Sequence, residues 1–278
     1  MEIASHEKIV IVDPDFPVVV LENDKVSLPH RQQLCALHWH EHLELHYIFD
    51  GELEICVNQT LSVLNRGDMV IINSSDTHTS YYSGRLKERI LIFNLKDLSP
   101  KLSQTAPVFQ RIIRQDSFVR EKLMDFEAEY AAKAVGYEAA CKASVLQLMV
   151  YLTRNYILTH DSELEYHKHA RQLQRLRPVL EFINAHFAES ITSELLSNMI
   201  YVSKDRFNHL FKACMGIPLR KYINDIRLHN AYSWLENGQY SAAEAASRSG
   251  FTDYNHFGRL FRQTFGCTPT AILPKTAK

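Results

Sequence analysis

The 278-residue chain is long enough for two ordinary domains, and its composition, with 46% hydrophobic and 23% charged residues, is typical of a globular protein. No apolar run approaches the roughly 20 residues that span a bilayer, and the first residues lack the basic start and apolar stretch of a secretory signal. The five cysteines are dispersed and form no C-x-x-C pair, which predicts reduced thiols and a cytoplasmic location.

The formal net charge of −1 conceals a division along the chain. Residues 171–278 contain 14 Lys and Arg against 8 Asp and Glu, whereas residues 1–170 contain 17 against 24. A basic back half behind an acidic front half indicates that only the back half meets a polyanion.

The first region has the pattern of short strands. Brief apolar runs, from Ile9–Val12 and Val18–Leu21 to Ile90–Leu95, are separated by turn residues such as Asp50-Gly51. Regular short strands with turns between them predict a sandwich or barrel over residues 1–98.

After this region, apolar residues recur at helical spacing. Residues 108–134 and 137–160 each predict a helix, with Gly136 as the break between them. We interpret residues 99–160 as a helical segment that pairs two copies of the chain, with capping of the barrel as the alternative.

Residues 161–174 are polar and predict a linker, and residues 175–278 behind it contain an internal repeat. The two copies match at an offset of 50 residues. The matched pairs are Phe207 and Phe257, Leu210 and Leu260, Phe211 and Phe261, Lys212 and Arg262, Met215 and Phe265, Gly216 and Gly266, and Glu194 and Glu244.

Each copy has the parts of a helix-turn-helix unit. Ser203 and Asp253 are suited to cap a helix N-terminus, the Phe and Leu side chains at i, i+3 and i+4 form one apolar stripe, and Gly216 and Gly266 are good helix stops. A plain helical bundle is the alternative for one copy, but two copies in the basic half favour two units whose second helices enter the major groove. A short helix is predicted before each cap, at residues 192–200 and 241–249.

Residues 180–273 resemble the AraC/XylS family of bacterial transcription regulators. The resemblance rests first on the run from Gly216 through Tyr222 and Arg227 to Ala231. It rests also on the run Gly250-Phe251-Thr252-Asp253-Tyr254-Asn255-His256-Phe257-Gly258-Arg259-Leu260-Phe261-Arg262, followed by Gly266 and Pro269. Ser197 departs from the small Ala that is usual in the family. The resemblance implies a sequence-specific, effector-controlled regulator in which a helix over about 218–236 joins the two units.

The resemblance also implies which side chains meet DNA. Because Asn pairs well with adenine and Arg with guanine, Asn208, Asn255 and Arg259 are expected to read bases, whereas Lys204, Lys212 and Arg262 are expected to hold phosphates. Arg227 is expected to tie the joining helix to a neighbour. The full set of solvent-facing positions is Lys204, Asp205, Asn208, His209 and Lys212 in the first recognition helix and Tyr254, Asn255, His256, Arg259 and Arg262 in the second.

The front region contains a second resemblance, to a cupin barrel. The run from His38 to Gly51 has the form H-x-H-x₃-E-x₆-G, and His78 follows it, although the proline common in the second cupin motif is missing. On one strand, side chains two residues apart share a face, so His38, His40, His42, Glu44 and His46 are expected to lie together. The resemblance implies a pocket for a small organic effector, often a sugar. Its expected lining is His38, His40, Glu44, His78, Tyr47 and Tyr82.

The same four residues leave an alternative open. His38, His40, Glu44 and His78 would suit a divalent transition metal, and a metal-dependent cupin enzyme with a helical appendage is then the competing function. A third alternative is an architectural helical protein that binds any duplex. The sequence has no nucleophile motif, P-loop or dinucleotide fingerprint.

We therefore expect an α+β multidomain regulator, a cupin-like barrel followed by an all-α double helix-turn-helix domain, and not an enzyme. The expected partners are double-stranded DNA, a small-molecule effector, a second copy of the chain and, for an activator, RNA polymerase. No cofactor is expected unless the metal alternative holds, and no membrane is expected.

Overall fold

The computed structural model describes residues 13, 15–26, 31–104, 107–158 and 160–273; the predicted strand Ile9–Val12 lies outside them. The strands are β1 (Val19–Val26), β2 (Gln32–His38), β3 (Leu43–Val57), β4 (Thr60–Asn65), β5 (Met69–Ile72), β6 (His78–Phe93) and β7 (Ile112–Ile113). The helices are α1 (Leu95–Leu98), α2 (Pro100–Ser103), α3 (Ser117–Ala132), α4 (Tyr137–Asn155), α5 (His160–His186), α6 (Ser193–Met199), α7 (Lys204–Met215), α8 (Leu219–Glu236), α9 (Ala242–Arg248), α10 (Tyr254–Phe265) and α11 (Pro269–Ile272). Among these helices, none is long and apolar enough to cross a membrane.

The seven strands form one antiparallel sheet that folds over into a barrel. β6 pairs with β1, β2 and β3, and β3 pairs in turn with β4 and β5. β3 and β6 run side by side along their whole lengths, and their register shifts twice between Ile48 and Leu53. At this bend a Cβ on Gly51 would lie 1.8 Å from the carbonyl oxygen of Arg85, and φ is +82°. Only glycine fits there, and the bend turns the two halves of each long strand toward each other.

The alternation of side chains along β3 separates two apolar cores. Leu45 and Tyr47 point outward, into a core that they share with Phe126 of α3 and Leu148 of α4. Ile48 points inward, into the barrel. The interior there is filled by Ile48, Leu53, Ile55, Val57, Leu64, Val70, Ile72, Tyr82 and Leu86. The sheet therefore has a helical layer on one face and a packed interior on the other.

The helix predicted over residues 108–134 begins only at Ser117. Asp116 caps it by accepting a hydrogen bond from the backbone N–H of Val119 at 2.9 Å. The preceding residues are extended instead, because the β-branched pair Ile112–Ile113 extends the sheet along β5. The helix predicted over residues 137–160 is α4, which ends at Asn155. Both helices pack against the outer face of the barrel. This is the capping arrangement that the sequence analysis gave as the alternative to pairing two copies of the chain.

The segment interpreted as a linker, residues 161–174, is helical and forms the first half of α5. Its polar side chains hid an apolar stripe at helical spacing that continues beyond the segment, and Leu173, Leu176 and Leu180 of this stripe are fully buried. α5 is therefore both the connection between the two regions and the first helix of the back region.

The back region has two cores, one for each half. The first gathers side chains from α5, α6, α7 and the start of α8, including Phe207 and Phe211. The second gathers the end of α8 with α9, α10 and α11, around Phe257 and Phe261. α8 crosses from one core to the other and matches the joining helix predicted at 218–236.

Candidate functional site

Both predicted helix-turn-helix units are present, and their caps are those that the sequence predicted. The Ser203 hydroxyl accepts from the backbone N–H of Arg206 at 3.3 Å, and Asp253 accepts from those of Asn255 and His256 at 2.8 and 3.2 Å. Gly216 and Gly266 end α7 and α10 in the left-handed region, with φ of +74° and +73°. The two second helices are therefore the same length and begin and end in the same way.

The offset of 50 residues holds for the second helices but not for the first. α6 and α9 are 49 residues apart, since Thr192 and Ser241 are their respective caps. The matching of Glu194 with Glu244 is therefore wrong. The extra residue of the second unit is in its turn, where Thr252 separates Phe251 from the cap Asp253. Counting identities alone could not reveal a one-residue insertion in so short a turn.

The side chains predicted to meet DNA lie on the outer faces of α7 and α10. All are exposed except His256, which is half-buried and whose Nδ1 atom accepts a hydrogen bond from the Arg259 guanidinium at 3.1 Å. Asn208 and His256 line one groove of about 540 Å³ between the units, together with Arg220 of α8. Arg206 of α7 is exposed as well, a cation that the family pattern did not mark. The exposed set comprises Lys204, Asp205, Asn208, His209, Lys212, Tyr254, Asn255, Arg259 and Arg262.

The joint between the units is fixed by two close contacts at the end of α5. Arg227 of α8 donates hydrogen bonds to the carbonyl oxygens of Phe187 and Glu189, at 2.7 and 2.8 Å. Gly250 approaches the same turn so closely that a Cβ would lie 2.5 Å from the carbonyl oxygen of Ala188. Arg227 is structural, as the sequence indicated, and it holds the two recognition helices in a fixed relation.

A polar cluster at one end of the barrel consists of His38, His40, Glu44 and His78. One ligand atom from each lies within 4.8 Å of the other three, and all four residues are buried. The prediction that His38, His40, His42, Glu44 and His46 lie on one strand is wrong, because β2 ends at His38 and β3 begins only at Leu43. His78 reaches Glu44 across the barrel, since the bend at Gly51 brings the start of β6 over the start of β3.

The backbone orients the three imidazole rings. The Nδ1 atoms of His38, His40 and His78 face the carbonyl oxygens of Ala36, His42 and Asp76, at 2.9, 3.1 and 3.2 Å. A carbonyl oxygen can only accept, so each Nδ1 donates and the Nε2 atom is left for the centre of the cluster. The Nε2 atoms of His40 and His78 lie 2.6 and 3.2 Å from one Glu44 oxygen.

The charges in the cluster are unequally distributed. Burial opposes ionisation of Glu44, but the charge on His46 and hydrogen bonds from the His40 and His46 imidazoles hold its pKa well below its usual value. Burial and the neighbouring His38 lower the pKa of His78 to about 4, so this ring is neutral at pH 7. The His78 Nε2 atom has no hydrogen-bond partner among the described residues. A lone pair and a carboxylate oxygen thus face each other in a buried site, an arrangement that a cation would stabilise.

Two residues beside the cluster were not identified as a pair from the sequence. His46 lies between Glu44 and Glu88, with its ring nitrogens 2.8 and 2.9 Å from their oxygens. Although burial opposes it, the carboxylates of Glu88 and Glu44 raise the pKa of His46 to about 10. Glu88 is itself only 1% exposed. Nothing in the charged run 87–89 distinguishes this carboxylate from a surface residue, so sequence reasoning had no signal for it.

Two tyrosines predicted to line the effector pocket do not join the cluster. Tyr47 points to the opposite face of β3, into the core beneath α3 and α4, because its position on the strand is odd and that of Glu44 is even. Tyr82 does face the barrel interior, but it is four residues along β6 from His78 and its hydroxyl donates to Gln32 at 2.9 Å.

Comparison with known proteins matches both regions. A helix-turn-helix domain model matches residues 196–274 and a cupin domain model matches residues 25–85. The chain is 24% identical over 250 residues to the HTH-type transcriptional activator RhaS of Escherichia fergusonii, which covers 84% of this chain and 86% of that protein. It is 23% identical over 256 residues to the HTH-type transcriptional activator RhaR of Mannheimia succiniciproducens, which covers 88% and 89%.

Solved structures agree with the order of the two regions. A crystal structure of an apo variant of ToxT from Vibrio cholerae superposes with a TM-score of 0.52 at 11% sequence identity, covering 92% of this chain and 96% of that one. This likeness concerns the fold, and it extends over both the barrel and the helices behind it.

Proposed function

Because the chain belongs to the AraC family of transcription regulators, we propose that it binds a specific DNA sequence through α7 and α10 under the control of a ligand in its barrel. The supporting observation is a pair of equally long, N-capped helices with exposed polar faces, joined by a helix that Arg227 fixes. A fixed joint suits two helices that enter successive major grooves about one helical turn apart.

Within these helices, we assign base reading to Asn208, Asn255 and Arg259. Their side chains are exposed, and their amide and guanidinium groups can form paired hydrogen bonds with adenine and guanine. Lys204, Lys212 and Arg262 provide positive charge for phosphates, which sets affinity without sequence information.

The base-reading assignment is tested on a duplex selected from random sequence by the full chain. Asn255→Ala and Arg259→Ala should each weaken binding to the selected duplex by about 10- to 100-fold and relax the preference at one base pair. Arg154→Ala, which removes one exposed charge from α4, is the matched control and should bind like the wild type. Unchanged affinity and unchanged base preference in both α10 variants would contradict the assignment.

We further propose that the barrel takes its ligand at the cluster of His38, His40, Glu44 and His78. A cavity of about 360 Å³ lies between the barrel rim and α5. Its lining includes Ser74, Asn94 and Tyr166 but none of the four cluster residues, so it is a second candidate site for the effector. Its volume is in the range of small-molecule sites, and its hydroxyl and amide groups suit a polar effector. The family resemblance favours a sugar there.

A divalent transition metal is our candidate for the ligand of the cluster itself. Three Nε2 atoms and one carboxylate oxygen are the donors that such an ion prefers, and each imidazole already has its second nitrogen bonded to a carbonyl. When bound, the ion would supply a positive centre able to coordinate oxygen atoms of an effector. Glu44 and the neutral His78 would lose their unfavourable contact.

Zinc titration of protein treated with a chelator tests this candidate. We expect one bound ion per chain, with Glu44→Gln and His78→Gln each lowering the affinity at least about tenfold. His42→Gln is the matched control, because its ring lies 6.1 Å from that of His40 and His42 is outside the four-residue cluster. Equal affinity in all four proteins, or no bound zinc, would contradict the metal assignment and leave the DNA-binding proposal unaffected.

The remaining partners follow from the same function. We propose a cytoplasmic homodimer that contacts RNA polymerase when it acts as an activator. The competing enzyme hypothesis rests on the cluster alone, and the relatives named above are transcriptional activators. Turnover of any substrate that disappears in His40→Ala would favour the enzyme.

A further inference from the structure

The short segment from Leu37 to Glu41 separates the polar cluster from the first helix-turn-helix unit. Its side chains alternate between the two. His38 and His40 point to the cluster, whereas Leu37 and Trp39 pack in the first core of the back region. One extended stretch of backbone is therefore shared by the ligand site and by the core behind α7.

Trp39 is the barrel's main contribution to that core. Its side chain is 0% exposed, and the core around it includes Leu176 of α5 with Phe207 and Phe211 of α7. A buried tryptophan removes about 150–250 Å² from water and dominates local packing energy. The position of α7 thus depends on a side chain that belongs to the sensor barrel.

Polar contacts fasten the barrel to the same helices on either side of Trp39. Glu41 pairs with Arg177 of α5 at 2.6 Å. Gln59, in the turn between β3 and β4, donates to the carbonyl oxygen of Ala213 in α7 at 2.9 Å. A Cβ on Gly216 would lie 2.5 Å from the Gln59 side chain, so the hairpin touches the very end of α7. These contacts leave little room for Trp39 to move without α7.

We propose that Trp39 is a positioning residue for α7 and that it conveys the state of the cluster to the first recognition helix. A ligand that draws the His38 and His40 rings together must move the backbone between them, and Trp39 moves with it. Packed cores shift between discrete arrangements and do not deform continuously, so α7 would follow. This inference rests on the proposed function, because it takes the cluster as the ligand site and α7 as a DNA-reading helix.

Hydrogen exchange of the full chain tests the coupling without DNA or ligand. Glu44→Gln keeps the shape of the side chain but removes the charge that holds the imidazoles, and it should accelerate exchange in α7 by about tenfold while leaving α10 unchanged. Glu54→Gln is the matched control, since Glu54 lies on the same strand and pairs with the exposed Arg31. Unchanged α7 exchange in Glu44→Gln, or equal acceleration in α7 and α10, would overturn the inference.

A linkage measurement then tests Trp39 itself, with zinc as the probe. Saturating zinc should change the wild-type Kd for its selected duplex by about 5- to 150-fold. In Trp39→Leu, zinc should still bind but should change the Kd by a factor of only about 1, and Trp39→Phe should restore part of the wild-type factor. Trp234 packs against the second core, so Trp234→Leu is the control and should keep the full wild-type factor. A retained factor in Trp39→Leu contradicts the inference. If the wild type prefers no duplex or binds no zinc, the result counts against the proposed function. The hydrogen exchange experiment then still tests whether a change in the cluster reaches α7.

Discussion

Tyr201 and Gly250 occupy equivalent positions in the turns of the first and second helix-turn-helix units. They are separated by the 49 residues that separate α6 from α9, and not by the 50 that separate α7 from α10. The backbone N–H of each residue donates a hydrogen bond to the carbonyl oxygen three residues earlier in the chain. The N–H of the residue that follows it donates to the carbonyl oxygen five residues before that donor. Both lie in the left-handed region, with φ of +54° and +89°. Gly250 suits that region and the close approach of Ala188, whereas Tyr201 is strained and 93% exposed.

Replacing Tyr201 should therefore stabilise the protein. Tyr201→Asn removes no packed side chain and substitutes a residue that tolerates the left-handed region, so the free energy of unfolding should rise by about 1 kcal/mol. Urea denaturation measures this change. Gly250→Ala is the counterpart in the second unit and should lower the free energy of unfolding, because its Cβ collides with backbone. A loss of stability in Tyr201→Asn would show that the tyrosine makes a stabilising contact.

At the scale of single elements, the barrel depends on the bend in its two longest strands. Without the register shifts near Gly51, the start of β6 would not lie over the start of β3 and His78 would not reach Glu44. The sequence marked Gly51 through the cupin resemblance, and the structure supplies the reason, which is the carbonyl of Arg85 where a Cβ would be.

Two glycines of the barrel should respond differently to the same substitution. Gly51→Ala should prevent normal closure of the barrel and lower the thermal midpoint by well over ten degrees, because the collision is with backbone. Gly84→Ala should cost only about 1 kcal/mol, since Gly84 also has a positive φ of +71° but no atom within 4 Å of the added Cβ. Similar thermal midpoints for the two variants would refute the role of the bend.

Across the whole molecule, the division of charge seen in the sequence separates two tasks. The basic back half carries the exposed faces of α7 and α10, and the acidic front half carries the cluster. An acidic barrel beside a basic DNA-binding surface discourages contact of the barrel with phosphates, so orientation on the duplex is set by the back half.

Salt dependence should distinguish the phosphate contacts from the base contacts. Lys212→Ala should weaken binding to selected and random duplexes alike and reduce the slope of log K against log salt by about 1. Asn255→Ala should leave the slope unchanged and lower only the preference for the selected duplex. Binding measured from low to physiological salt gives both slopes, and an unchanged slope in Lys212→Ala would contradict the phosphate assignment.

How far the sequence predicted this structure depends on the kind of signal. Caps, glycine stops and the repeated apolar stripe are local, so Ser203, Asp253, Gly216 and α8 lie where they were predicted. The four cluster residues were predicted through the cupin resemblance, and the structure brings them together. Local signals could not reveal that the Trp39 side chain, just after β2, points away from the cluster, because that depends on a core built by α5 to α8 far along the chain.

The misses have physical causes of the same kind. The segment 161–174 was predicted to be a linker because most of its residues are polar. The buried leucines that show its helical periodicity begin only at Leu173. Residues 108–116 were predicted to be helical, but the spacing of their apolar residues fits a helix or a strand. Ile112–Ile113 form a strand because they pair with β5. The sequence made no prediction for Glu88, because its burial depends on its contact with the buried His46.

The most direct measurement is selection of duplexes by the purified full chain from random sequence, followed by competition against random DNA at physiological salt. Sequence-specific binding through α7 and α10 predicts a pair of short motifs about one helical turn apart, bound at least about 10³-fold more tightly than random duplex. Enrichment of no motif, with equal affinity for every duplex and a steep loss of binding with salt, would contradict it.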